Sequence, residues 1–142
     1  MRRTLRSEER GQSLVEFALV LPVLIFLLLA IIEGGRIFSA YVELQSVARD
    51  GARFASINCT SEMVSDHQIP SWVTGNLTPW VLEKTASLDE GSLQLEFARN
   101  GEAGGVWVEV TLTYALEIGT PIIRDITGNP FVLQSRMAMR SE

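Results

Sequence analysis

Metal and thiol chemistry have almost nothing to work with in this chain of 142 residues, which holds one cysteine, Cys59, and one histidine, His67. A lone thiol excludes an internal disulfide, and no cluster of thiolates or imidazoles can form to bind a metal. Proline is missing where it would matter most: none lies between Pro22 and Pro70, so nothing in that interval forces a helix to stop. No glycine run has the phosphate-cradling form, and no serine occupies a nucleophile elbow. His67 sits in a loop-like "SDHQIP". Asp89, Glu90, Glu96, Glu102 and Glu109 spread as a solvated acidic face, without the tight oxygen cluster that calcium needs. The sequence predicts no enzyme and no cofactor. Net charge is −5, and such a surface has no electrostatic reason to bind nucleic acid.

What the chain does have is one long greasy run. Leu14 to Ile32 is apolar except for Glu16 and Pro22. At ~1.5 Å per residue a helix of that length covers ~28 Å, close to the ~30 Å hydrocarbon core of a bilayer. A single membrane span follows. A cleaved secretory signal is the competing reading, with a site at Ala30 or Gly35, but its apolar core would be shorter than this run. Arg2, Arg3, Arg6 and Arg10 precede the span, against Glu8 and Glu9. Positive flanks stay cytoplasmic, so the N-terminus is expected inside and the larger C-terminal part outside.

The helical pattern outlasts the span. Ile37, Tyr41, Leu44, Val47 or Ala48, Gly51, and Phe54 or Ala55 recur at helical spacing until "NCTS" breaks it. Glu33 with Arg36, and Asp50 with Arg53, fall at i, i+3 and suit intrahelical ion pairs. Small residues crowd this half, spaced as Gly35/Ser39, Ala48/Ala52 and Gly51/Ala55. They suit close approach by another helix or, equally, by a sheet of the same chain. Gly34 and Gly35, with Arg36, mark the outer boundary of the span. Pro22 should kink the helix or free the carbonyl of Ala18, and neighbouring helices can satisfy such groups.

Past residue 58 the signals are mixed. "TPWVLEKTASL" offers Thr78 as an N-cap and Pro79 at the first helical position of a short helix near 79–87. Three segments then alternate with period two. Leu93, Leu95 and Phe97 share one side of the first. Val106, Val108, Val110, Leu112 and Tyr114 share one side of the second, and Leu133, Met137 and Met139 one side of the third. Asn100-Gly101 suits a hairpin turn, and a helical turn fits 121–127. Trp72, Trp80 and Trp107 suit a binding patch or core and rim alike. The expected fold class is α+β: a long N-terminal transmembrane helix whose outer half packs on a small antiparallel sheet. The expected division is a leader at 1–11, a helix at 12–57 and an exported α+β region at 58–142.

Glu16 remains to be explained. A carboxylate at the bilayer centre costs ~2.5–3.5 kcal/mol on insertion scales, and less near the interface. It can snorkel, or it can have a partner. Cutting after Gly11 would place a new ammonium terminus on Gln12, about one helical turn from that carboxylate, and would remove the leader arginines. Helices bearing one charge of each sign near one end could neutralise one another side by side.

The run "ERGQSLVEFALVLPVLIFLLLAIIEGGRIFSAYVELQSVARDGARFAS" resembles the TadE-like family of tight-adherence (Flp) pilus assembly proteins. "GQSLVEFALVLP", "EGGRIF" and "ARDGARFA" resemble family segments in the same order. The resemblance implies a minor pilin or pseudopilin of the inner membrane, cut between Gly11 and Gln12 by a prepilin peptidase. It gives Glu16, followed by Phe17, a role in processing, registration or assembly. Its implied partners are other pilin-like subunits through the N-terminal helix, an inner-membrane assembly platform and membrane lipid. Pro22, Gly34, Gly35, Arg36, Ala48, Gly51, Ala52 and Arg53 are the expected helix-packing positions. A permanently anchored binding or sensing domain and a general-secretion pseudopilin are the alternatives.

Overall fold

Alternation in the last third of the sequence predicts strands, and strands form there. The computed structural model describes residues 5–60, 64–85, 87–102 and 105–141. Its contacts divide the chain into two units, Met1–Arg36 and Ile37–Glu142. One helix, α1 (Leu5–Asn58), contributes to both. It starts ahead of the expected position and runs through Gly11 and Pro22 without interruption.

In the C-terminal unit, β1 (Leu93–Glu102), β2 (Gly105–Leu116) and β3 (Phe131–Ser141) form an antiparallel meander in the order β1-β2-β3. Register places Leu93, Tyr114 and Leu133 in one row, and Phe97, Val110 and Met137 in another. Because side chains alternate, these rows share one face. The expected parity holds in all three strands. The opposite face carries Glu96, Thr111 and Arg136 in one row, and Arg136 Nη2 donates to Glu109 Oε2 at 2.6 Å. That pair is exposed on the arginine side and contributes little to stability.

The apolar face is covered by the outer part of α1. Ala40, Leu44, Val47, Ala48, Ala52 and Ala55 join Val108, Val110, Leu112 and Tyr114 in one core. Leu44 and Leu112 are fully buried, each worth ~1.5–3 kcal/mol relative to exposure. The two readings left open for the small-residue stripe therefore resolve for this part of it: Ala48, Gly51 and Ala52 face their own domain. A Cβ on Gly51 would lie 3.7 Å from both Trp80 and Val110 and 3.9 Å from Leu77, all ordinary contacts. Gly51→Ala is thus expected to raise stability by ~0.5–1 kcal/mol through reduced unfolded-state freedom. A lower thermal midpoint in the alanine variant would show that the space is already taken.

Thr78 is not an N-cap. Helices α2 (Ile69–Trp72) and α3 (Thr78–Lys84) are joined by a π-turn, Val73–Leu77, so the helical path begins well before Pro79. The Thr78 N–H reaches back to the Val73 carbonyl. The wider turn precedes a residue with no N–H to give, and the helix continues through the proline instead of starting at it. Phe54 of α1 stacks on Trp80 at 5.3 Å and on Trp72 at 6.1 Å, and Trp72 meets Phe97 at 6.0 Å. Trp72 and Trp80 thus belong to the packing, whereas Trp107 is 41% exposed on the outer face. Helix α4 (Pro121–Thr127) fills the expected position between β2 and β3.

Just past the end of α1 at Asn58, backbone carbonyls turn inward and need donors. Arg99 supplies them. Its Nη1 lies 3.3 Å from the Cys59 carbonyl, 3.3 Å from that of Thr60 and 2.7 Å from that of Val64. Its Nη2 pairs with Asp66. Ser141 Oγ, on β3, donates to the Ser56 carbonyl at 3.2 Å. Burial pushes the Cys59 thiol above its ordinary pKa, and the nearby Arg99 guanidinium offsets part of that rise. A raised thiol pKa means that the folded state holds its proton at pH values where the unfolded chain has lost it. Stability should therefore fall as pH climbs past the thiol's ordinary range. Native Cys59 should also resist iodoacetamide until the domain unfolds. Alkylation of the folded protein at the rate of a free thiol would contradict its burial.

Candidate functional site

The N-terminal unit is a helix with an undivided apolar surface. Leu14, Val15, Phe17, Leu19, Val20 and Val23 are each at least 60% exposed. A stretch of α1 beginning near Gly11 is long and apolar enough to cross a membrane. Lipid is the solvent such a surface fits, since the helix pairs its own backbone groups between its ends, apart from the Ala18 carbonyl opposite Pro22.

Polar groups on this unit are few and local. Gln12 Nε2 donates to Glu16 Oε1 at 3.4 Å, one turn apart on the exposed surface. The geometry places the Gln12 residue and the Glu16 carboxylate on one helical edge, just past Gly11. Apart from chain neighbours and the helix's own backbone, nothing lies within 4 Å of a Cβ built on Gly11, Gly34 or Gly35. Those glycines open their side of the helix to close approach. Farther along, Arg36 Nη1 donates to Glu33 Oε1 at 3.0 Å, and Glu33 is buried while Arg36 is half exposed. The second expected pair does not form: Asp50 and Arg53 make no ion pair among the described residues, and both are exposed.

Of the predicted positions, the structure brings Gln12 and Glu16 together and joins Glu33 to Arg36. It sends Ala48, Gly51 and Ala52 into the domain core and leaves Arg53 on the opposite surface of α1. Phe17 and Pro22 stay on the exposed apolar surface. Among the described residues no group of three or more His, Cys, Asp or Glu side chains is placed to hold a metal.

Residues 11–53 match the model of the TadE-like protein family. The chain carries a TadE-like segment. No curated protein and no solved structure matches the chain. The TadE-like segment takes in the apolar helix, the Gln12–Glu16 edge and most of the helical face that covers the sheet, and it ends before the strands begin. It implies a part in tight-adherence pilus assembly, and its apolar helix reads as a membrane anchor.

Two features escaped the sequence reading. Arg99 falls at the same parity as Leu93, Leu95 and Phe97, which was the available signal that its side chain points inward. Phe38 and Val42 remain 68% and 46% exposed on α1 although they follow the span. Their spacing of four along a helix would have marked them as one stripe.

Proposed function

We propose that this chain is a minor pilin or pseudopilin of a tight-adherence pilus, a structural subunit rather than a catalyst. In this reading a prepilin peptidase of the inner membrane removes the basic leader after Gly11. The N-terminus begins in the cytoplasm, and the sheet-bearing unit is exported. Cleavage leaves a Gln12 ammonium beside Glu16 on an otherwise apolar rod. The observation that carries the proposal is the Gln12–Glu16 edge at the start of the TadE-like match. Charges of both signs close together on one apolar helix favour association with like helices at the same level, because an unpaired ion in lipid is costly. Other pilin-like subunits and an inner-membrane platform are the partners this arrangement calls for.

Mass spectrometry and N-terminal sequencing of the membrane-extracted protein test the processing step. The expected mature chain begins at Gln12, and Gly11→Leu should retain the leader. Recovery of the intact leader on functioning native protein would leave a permanent anchor carrying an α+β domain. Glu16→Ala should insert normally yet lose at least ~10-fold of its incorporation into pili, a change of ~1.4 kcal/mol in the assembly equilibrium. Unchanged incorporation would mean that Glu16 merely reaches the headgroups.

A further inference from the structure

Exposed apolar side chains of the C-terminal unit gather at one end of it. As β2 advances from Val106 to Val110, α1 recedes: Ser141, the partner of Val106, bonds Ser56, whereas a Cβ on Gly51 would touch Val110. The next six residues of β2, to Leu116, cover ~20 Å, and the fourteen from Gly51 back to Ile37 cover ~21 Å. Leu116 and Ile37 accordingly join one core. The connection from β2 to β3 leaves the sheet at this end. Ile118 is buried there, and its N–H donates to Asn129 Oδ1 at 3.0 Å. That bond closes the base of the loop carrying α4, in which Ile123 is half-buried. Ile122 and Ile126, one turn apart on α4, stay 56% and 75% exposed. Phe38, Tyr41 and Val42 of α1 and Val132 of β3 are exposed at the same end. The other exposed large apolar residues described in this unit, Ile57 and Trp107, stand at the far end.

Single exposed apolar residues need no explanation, but their gathering at one end does. We propose that this end of the unit beds into the lipid–water interface, with α4 as a second membrane contact beside the anchor. Chain length commits the occupant. The apolar run of α1 ends at Ile32, and the five residues on to Ile37 reach ~18 Å even when fully extended. The end of the unit that holds Ile37 is therefore tethered within that reach of lipid, whereas the end that holds Ile57 and Trp107 is not. On α4, Arg124 Nε lies 4.0 Å from Asp125 Oδ1, so the helix carries no net charge. Burial of Ile122 and Ile126 is then the attraction, and anionic headgroups add little to it. Tyr41 suits the headgroup level, where rings with one polar tip collect. With two attachments the unit rests on the membrane in one orientation instead of swinging about α1. This inference rests on the membrane-anchor reading of α1 and is independent of leader cleavage.

The test uses the full chain in phosphatidylcholine vesicles, with Ile126→Cys, Val132→Cys or Ile57→Cys carrying an environment-sensitive fluorophore. Cys59 is buried and stays in place, and the chain without an added cysteine measures its background. Phosphatidylcholine with a nitroxide near the headgroup end of its acyl chain quenches from the lipid, and iodide quenches from water. Quenching by the nitroxide lipid is expected to be at least ~5-fold stronger at position 126 than at position 57, as insertion to the acyl boundary requires. Iodide should show the reverse order. Reading both sites in the same preparation cancels the mixed orientation of chains in vesicles. Equal quenching at the two sites overturns the proposal. So does protection from iodide without quenching by lipid, which would mean that protein covers α4. A second arm combines Ile122→Ser with Ile126→Ser. Both side chains are exposed, so the thermal midpoint in detergent should hold, while iodide quenching of a label at position 132 should rise at least ~3-fold once the apolar contact is lost. A label at 132 that stays protected overturns the role given to α4, and the first arm needs neither serine. If native protein keeps its leader while α4 is quenched from the lipid, the processing step falls and this contact stands.

Discussion

Arg99→Met is expected to destabilise the C-terminal unit by ~3–5 kcal/mol, the largest effect of any single substitution proposed for this chain. The side chain is 5% exposed and faces three carbonyls, those of Cys59, Thr60 and Val64, together with Asp66. Two contributions could dominate, the ion pair or the carbonyl cradle. Asp66 is 88% exposed, so its charge rehydrates at little cost when the partner leaves, and the pair is worth under ~1 kcal/mol. The Thr60 carbonyl keeps the Val64 N–H as a donor, but the carbonyls of Cys59 and Val64, both buried residues, have no such escape. Each buried acceptor left without a donor costs ~1–3 kcal/mol. Asp66→Ala should therefore be mild where Arg99→Met is severe, and thermal unfolding in detergent measures both. Arg99→Lys should fall between them, since one ammonium cannot reproduce the planar fork. Equal losses in Asp66→Ala and Arg99→Met would show that the ion pair, not the cradle, holds the segment after α1.

Phe54→Ala comes next, with an expected cost of ~2–4 kcal/mol, below the full range for a buried phenylalanine because Phe54 is only half-buried. Its ring stacks with two indoles, at interplanar angles of 10° to Trp80 and 25° to Trp72. Removing it deletes both stacked contacts and leaves a gap where α1 meets α2 and α3. Near-UV circular dichroism should lose intensity, and tryptophan emission should move to the red as both indoles gain water. At ~4–8 °C per kcal/mol for a domain of about 100 residues, the midpoint falls by tens of degrees at the upper end. Phe54→Leu, which keeps the volume roughly, should recover most of the midpoint but not the dichroic signal. A normal near-UV spectrum in Phe54→Ala would mean that the indoles are held by other contacts.

The parts legible in the sequence are those in which local pattern and tertiary role agree. Leu93, Leu95 and Phe97 alternate because a strand has two faces, and the structure pairs them with Tyr114, Leu112 and Val110. Likewise the continuation of α1 past Arg36 follows from helical spacing with no proline to stop it. The parts that were not legible depend on partners distant in sequence. Arg99 finds its acceptors some forty residues upstream, and charge on a strand ordinarily signals the solvent side. Thr78-Pro79 carries a sound helix-start signal, yet the π-turn at Val73–Leu77 absorbs the proline's missing donor and overrides it. The small-residue stripe supported two packing partners, and only tertiary structure could choose the sheet for Ala48, Gly51 and Ala52. Glu16 was visible because a carboxylate is conspicuous among aliphatics, and its Gln12 neighbour lies one turn away by helix geometry alone.

The bond from Ser141 to Ser56, and the burial of Leu133 beside α1, have a further consequence for how the molecule is made. The covering helix emerges early in synthesis, whereas the strand that closes its far end emerges more than seventy residues later. Until then Leu44 and Val47 have no permanent shelter. The half-finished chain therefore carries an uncovered apolar face, and a stop codon ahead of Phe131 should yield a protein that proteases clear quickly.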